Sequence, residues 1–301
     1  MNGYHHPAYA LSLAGFGSPR ELPRCGGWIL ERRIPGYTDR DGMGCYPLFV
    51  CSDWSALRHD VRDLDGALVS LALVTDPFGS YALSDLEESF DTVTRFKEHF
   101  VADLSGGPGA AVSSHHRYYA RRALKSVSVE VCKDPPAFLD EWLALYAELV
   151  RRHRLRGIKA FSRDAFARQL QVPGLVLFRA VSEGATVGAH LWYVEGDVAY
   201  SHLAATSEEG YRLRAPYAIY WRAMEVLFDR NVRWLGIGAG GGTQGQAPTG
   251  LTEFKRGWAS ATRPSYFCTR ILDAPRYADV VRDSGARATE YFPAYRAGEL
   301  A

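Results

Sequence analysis

Three apolar runs succeed one another between residues 175 and 205 with almost nothing between them: LVLFRAVS (175–182), TVGAHLWYVE (186–195) and VAYSHLAA (198–205). The connectors Glu183-Gly184 and Gly196-Asp197 are two-residue turns of the kind that close hairpins. The spacing therefore predicts an antiparallel meander. The next two segments narrow the topology further. A long helical segment, 215–230, begins near Pro216, which suits a first helical turn, and a short apolar run, 232–237, comes after it. A meander, a helix and one more strand is the order of an antiparallel sheet that continues through a parallel crossover.

That last strand runs into a glycine-rich loop, with glycines at 238, 240, 241, 242, 245 and 250. The loop hands over to GLTEFKRGW (250–258), whose residues 251, 254 and 258 fall on one face of a short helix. A strand, a glycine loop and a helix bearing one lysine can hold an anionic or polarised group. Backbone N–H groups approach closely at Gly240, Gly241 and Gly242, and Lys255 supplies the charge.

Upstream, residues 137–153 carry Phe138, Trp142, Leu145, Tyr146 and Leu149 at helical spacing, and 163–171 read as a shorter helix. Residues 206–214 read as a loop and 265–273 as the last strand. The first half alternates as well. Strands are expected at 25–34 and 44–52 with a Gly/Asp-rich turn between them, at 67–75, 96–104 and 126–132. Helices are expected at 53–65 behind Asp53, at 84–93 behind Ser84, and at 113–124. Pro135-Pro136 breaks the chain, and the reading divides it into 1–134 and 135–301.

Composition excludes several classes. Hydrophobic residues make up 47% and charged residues 23%, which is a folded and not a disordered chain. No apolar run reaches the roughly 18 residues that cross a bilayer, and the N-terminus lacks a basic segment ahead of an apolar core. Five scattered cysteines (25, 45, 51, 132, 268) without a C-x-x-C pair favour reduced thiols and a cytoplasmic protein, with no zinc site. Lysine plus arginine number 35 against 34 acidic residues, for a net charge of +1. That balance argues against a whole-surface grip on long nucleic acid and leaves room for recognition of a short end.

The second half resembles the GNAT acyltransferase superfamily, and the whole chain resembles the Fem-type family, which sets two such domains in tandem. The residues that carry this are VGAHLWYVEGDVAYSHLAA, APYAIYWRAMEVLF, RWLGIGAG and, above all, GLTEFKRGW; FKEH (96–99) and DPFG (76–79) are shorter echoes in the first half. The resemblance implies an α/β (α+β) fold of tandem GNAT-like domains, each a mixed sheet flanked by helices. It places Phe254 and Lys255 on the family's Phe-Lys pair, with the lysine in the acyl-transfer site. The phosphate loop of ordinary GNAT members is missing: the corresponding stretch, SEEGYRLRAPYA, holds only Gly210 and two arginines. This agrees with Fem-type proteins, which take an aminoacyl group from aminoacyl-tRNA. The expected partners are therefore the acceptor end of an aminoacyl-tRNA and a small amine or peptide, with no bound cofactor and no metal. An acyl-CoA donor on the same fold is the alternative, and a non-catalytic binding protein the third reading.

Each candidate carries two meanings. Lys255 is a solvated helix lysine or the stabiliser of a developing oxyanion. Phe254 is a core residue or a stacking surface for a terminal adenine. His190 and His202, on adjacent hairpin strands, are hydrogen-bonded core histidines or a general base. Lys97 and His99 lie two apart on a strand and so face the same way, as an exposed face or an acceptor-binding pair. Arg212 and Arg214, ahead of the long helix, are surface residues or phosphate contacts. Tyr193 and Tyr217 join the substrate-binding candidates. His115, His116, Arg117, Arg121, Arg122 and Lys125 make a basic helix, solvated or laid against a phosphate backbone.

Overall fold

The computed structural model describes residues 1–240, 249–286, 289 and 291–299. In chain order the elements are α1 (Pro7–Ser12), β1 (Ser18–Leu22), β2 (Gly27–Arg33), β3 (Arg40–Gly44), α2 (Leu57–Arg62), β4 (Ser70–Val74), α3 (Leu83–Glu87), β5 (Thr92–Asp103), α4 (Ser114–Ala123) and β6 (Ser128–Val131). They continue with α5 (Leu139–His153), α6 (Arg163–Gln169), β7 (Leu175–Ser182), β8 (Ala185–Glu195), β9 (Val198–Thr206), α7 (Glu208–Arg212), α8 (Ala215–Asp229), β10 (Trp234–Ala239), α9 (Gly250–Arg256), β11 (Ala261–Ile271) and α10 (Ala274–Asp283).

The chain forms two compact units, each drawn from three separate stretches of sequence. One holds 1–3, 97–155 and 169–264; the other holds 4–96, 156–168 and 265–301. The sequence reading made a single cut after residue 134. Residues 97–134, assigned there to the first half, group in the structure with the meander and α9.

In the unit that contains the meander, the strand order is β5-β10-β9-β8-β7-β6. The expected hairpins form as read: β7 pairs with β8 and β8 with β9, both antiparallel. Helix α8 then returns the chain so that β10 lies parallel to β9. That parallel ladder is short, running only from Trp234↔Val198 to Gly236↔Tyr200, while β9 goes on to Thr206 and β10 to Ala239. On its other edge β10 pairs antiparallel with β5, with an irregularity between Gly236 and Gly238. The core beneath α8 is aromatic and dense, with Phe178, Trp192 and Trp258 wholly buried. Trp258 stacks on Tyr220 of α8 at 5.3 Å and 21°. Removing a buried indole of this kind costs about 3–5 kcal/mol.

In the other unit the order is β1-β2-β3-β4-β11, with β3 parallel to β4. Its core gathers Ile29, Phe49, Trp54, Leu57, Leu71 and Leu73. The same unit holds a buried ion pair: Arg296 donates to both carboxylate oxygens of Asp41, at 2.5 and 3.0 Å.

Several expectations shift. The strand expected at 44–52 stands earlier, as β3 over Arg40–Gly44, in what reads in the sequence as a turn. Pro47 has no N–H to give a ladder, and beyond Gly44 only a bridge from Phe49 to Thr75 remains. The loop expected at 206–214 contains α7, capped by Ser207, whose hydroxyl accepts from Gly210 N. Helix α9 ends at Arg256, so Trp258, though buried, lies beyond it; Phe254 is half-buried and Leu251 exposed, and the expected three-residue apolar face does not form on the helix. The segments α1, β1 and α10 were not read from the sequence.

Candidate functional site

The β9–β10 ladder stops short of the ends of both strands. Beyond Tyr200 and Gly236 the two strands have no ladder between them, and β10 bends at its irregularity with Gly238 at φ +84°. Only glycine takes that conformation without strain. It leaves room as well, because a Cβ on Gly238 would lie 2.9 Å from the Lys255 amine. Gly240 serves packing in the same way: a Cβ there would meet the Thr252 hydroxyl of α9 at 2.7 Å. Gly241 and Gly242 lie outside the described residues.

Lys255 therefore does not point to bulk water. It is half-buried, and its Nζ donates to the carbonyl of Ala239 at 2.7 Å. Burial, with the nearby Lys97 ammonium, pulls its pKa down to about 8. Ala239 stands opposite His99 in the β10–β5 register, which brings the Lys97/His99 face of β5 to the same amine. Burial and the Lys255 and Lys97 charges hold His99 down to about 4.

The two hairpin histidines point to opposite faces of the sheet, since adjacent strand residues alternate. His190 shares a face with Ser201, Trp192 and Tyr220: its Nε2 lies 2.8 Å from the Ser201 hydroxyl, and its ring is 4.9 Å from that of Tyr220. Its Nδ1 is buried without a hydrogen-bond partner. Burial, then Lys255 and His202, lower it to about 3. His202 lies with Tyr193, ring to ring at 4.9 Å, and its Nε2 meets the Gln169 side chain at 3.1 Å. Burial lowers it to about 3. Tyr193 is wholly buried and donates to the Gln169 carbonyl at 3.1 Å, so it packs rather than faces solvent.

Lys97, His99, His190 and Lys255 thus form one electrostatic group, with His202 coupled to it through His190. The forces among them are repulsions between cationic forms, which add to burial in lowering the pKa values of His99, His190 and Lys255. A bound anion or a developing oxyanion reverses that sign.

Beside this group lies a second feature, a pocket of about 440 Å³ lined by His115, His116, Tyr217, Phe254 and Arg256 together with Gly257. Tyr217 faces Phe254 edge-on at 5.1 Å. Arg214, in the left-handed conformation at the start of α8, lays its guanidinium 3.8 Å over the ring of Tyr119. Arg212 is elsewhere in character: it is exposed and paired with Glu209 three residues back.

His116 is the residue the sequence reading placed wrongly in kind, as part of a basic helix face. It is buried, in line with Ala120 and Ala123, and that i, i+4, i+7 stripe was legible in the sequence. Among the described residues no group of three His, Cys, Asp or Glu is placed to hold a metal ion, and no helix is long and apolar enough to cross a membrane. The five cysteines are free thiols.

The family model of the GNAT acetyltransferase domain matches residues 111–256, from just ahead of α4 to the end of α9. Among solved structures, FemX superposes with a TM-score of 0.69 at 14% identity, covering 92% of this chain and 94% of its own. A C-terminal domain assigned to a lysylphosphatidylglycerol synthetase of Agrobacterium fabrum superposes with a TM-score of 0.63, at 16% identity and coverage of 92% and 93%. L-PGS from Bacillus licheniformis gives 0.57 at 13% identity, covering 93% and 95%. No curated sequence matches. The chain has a FemX-like, GNAT-type fold.

Proposed function

We propose that this chain is an aminoacyltransferase: an acceptor amine attacks the ester carbonyl of an aminoacyl-tRNA, the C–N bond forms, and the C–O bond to the terminal ribose breaks. The ribose oxygen leaves as a hydroxyl, and the amine gives up a proton to water or to a neighbouring base. The observation that carries this reading is the placement of Lys255. An ammonium anchored on the Ala239 carbonyl, at a glycine bend, spends one N–H there among the described residues, and its remaining N–H bonds can turn to the carbonyl oxygen as negative charge develops on it. No covalent enzyme intermediate is required, since positioning and charge stabilisation can supply the acceleration.

The aromatic pocket supports a donor that ends in a nucleotide. His115, His116, Tyr217 and Phe254 line it together with the paired Arg256 and Glu253, and base stacking on such rings is worth about 1–3 kcal/mol per base. The Fem-type resemblance implies the tRNA ester. One similar structure carries the name lysylphosphatidylglycerol synthetase, which itself speaks of a lysyl group joined to an acceptor. One observation favours a second reading, an acyl-CoA-dependent N-acyltransferase: the matched family model is that of an acetyltransferase domain.

The deciding experiment offers labelled aminoacyl-tRNAs and, in parallel, acetyl-CoA to a panel of small amines and peptides, with wild type and Lys255→Ala. Amide formation from the tRNA ester that collapses in the variant supports the first reading. Transfer from the thioester alone replaces it with the second. Retention of either donor or acceptor without product in any combination would point to a binding protein.

A further inference from the structure

The last carbonyls of a helix have no partner inside it. In α9 three of them are met locally: Glu253, Lys255 and Arg256 accept from the N–H groups of Gly257, Trp258 and Ala259 at 3.2, 3.1 and 3.2 Å. The carbonyl of Phe254, one residue before the site lysine, is met from another helix. His116 Nε2 lies 2.9 Å from it. A carbonyl only accepts, so Nε2 carries the proton, and Nδ1, 3.0 Å from the Ser113 hydroxyl, accepts. The serine hydroxyl in turn accepts from the His116 N–H at 3.2 Å, and Ser113 N donates to the Gly257 carbonyl at 3.0 Å. Both ends of the contact are thus fixed by hydrogen bonds.

Shape fixes it as well. A Cβ on Gly257 would lie 2.0 Å from the His116 ring, which therefore occupies the space that any other residue at 257 would fill. The same ring lies 5.0 Å from Trp258 and 5.1 Å from Tyr217.

We propose that His116 is a positioning residue for Lys255: wedged against Gly257 and bonded to the Phe254 carbonyl, its neutral ring seats α9 so that the lysine reaches Ala239. The inference rests on the reading of Lys255 as the cation of the site and extends it to the residue that sets where the cation stands. His116 itself touches no reacting atom. Burial lowers its pKa, which keeps the ring in the neutral form the two bonds require.

The test reads Lys255 directly and needs no substrate. The purified chain is treated with a small amine-acylating reagent across a pH series, and the labelling rate at Lys255 is followed by mass spectrometry. In wild type the rate rises with a midpoint near the lowered value of about 8. In His116→Ala the midpoint moves up by about one unit or more, towards an ordinary lysine, because α9 is no longer held. His116→Phe keeps the wedge and loses the bond, and His116→Gln keeps an N–H of similar reach; the first shifts the midpoint upward and the second restores it at least in part. A midpoint unchanged in both His116→Ala and His116→Phe overturns the proposal. If His116→Ala does not fold, by circular dichroism, the decision passes to His116→Phe alone. Absence of aminoacyl transfer by wild type would sink the proposed reaction and leave this result standing, so the two failures are distinguishable.

Discussion

A side chain on Gly238 and the amine of Lys255 cannot both occupy their places: a Cβ at 238 would stand 2.9 Å from Nζ, at a backbone φ of +84°. Strand β10 and helix α9 are thus fitted to each other through one missing methyl group. Gly238→Ala is expected to cost about 1–2 kcal/mol from the backbone alone, with a further loss from displacing the lysine. Thermal unfolding measures the first. The labelling midpoint of Lys255 measures the second and is expected to rise.

Replacing the lysine should separate stability from activity. A half-buried ammonium is costly to desolvate, so Lys255→Met is expected to leave the melting temperature unchanged or higher. Turnover, in whichever donor assay proves active, is expected to fall about 10²–10³-fold, the range for losing one oxyanion donor. A melting temperature that drops sharply would make Lys255 a structural residue.

The pH profile depends on the same group. The protonated form of Lys255 stabilises an oxyanion, so activity is expected to decline as pH rises through about 8. Lys97 lowers that value by repulsion, and Lys97→Met should therefore carry the declining limb to higher pH. A limb that moves down, or does not move, contradicts the placement of Lys97 beside Lys255.

Acid should destabilise the fold through its histidines. His99 is held down to about 4, and His190 and His202 to about 3, against 6.5 for a free histidine. Between pH 6.5 and 4 the unfolded chain binds these protons and the folded chain does not, so stability falls as pH falls through that window. Each such group contributes a slope of up to about 1.4 kcal/mol per pH unit. Melting temperatures recorded from about pH 7 to about pH 4 should show the decline, and His202→Asn should make it shallower.

In the unit that holds β1 to β4, Arg296 and Asp41 are both buried and doubly bonded. Truncating one partner strands the other charge, and Arg296→Met is expected to cost about 3–5 kcal/mol. Replacing both residues with apolar ones should recover much of that loss in a denaturant titration, because no uncompensated charge remains.

Much of this was legible in the sequence, and the reason is local. Hairpins β7–β8–β9 were fixed by alternating apolar runs and two-residue turns, α8 by its apolar period behind Pro216, and β10 by its apolar run. Each signal lies within a short stretch of chain, and a period of two or of 3.6 is a property of neighbours along it. The same locality explains why Lys97 and His99 could be paired, and why Lys255 stood out after its glycines.

What tertiary structure alone decided is everything that depends on residues far apart in sequence. Spacing could not tell that His190 and His202 face opposite ways, because the outcome depends on strand register and on the irregularity of pairing between Leu191 and Trp192. It could not show Gly42 and Gly44 inside strand β3, where glycine is disfavoured by propensity and tolerated because a Cβ on either would press on Leu71 or Leu73. It read His116 as one of a basic run: the 116/120/123 stripe marks an inward face, but what that face meets, Tyr217 and the Phe254 carbonyl, lies far along the chain. The lowered pKa of Lys255 has the same origin: charge is written in the sequence, but the distance between charges and their removal from water exist only once the strands and helices have packed.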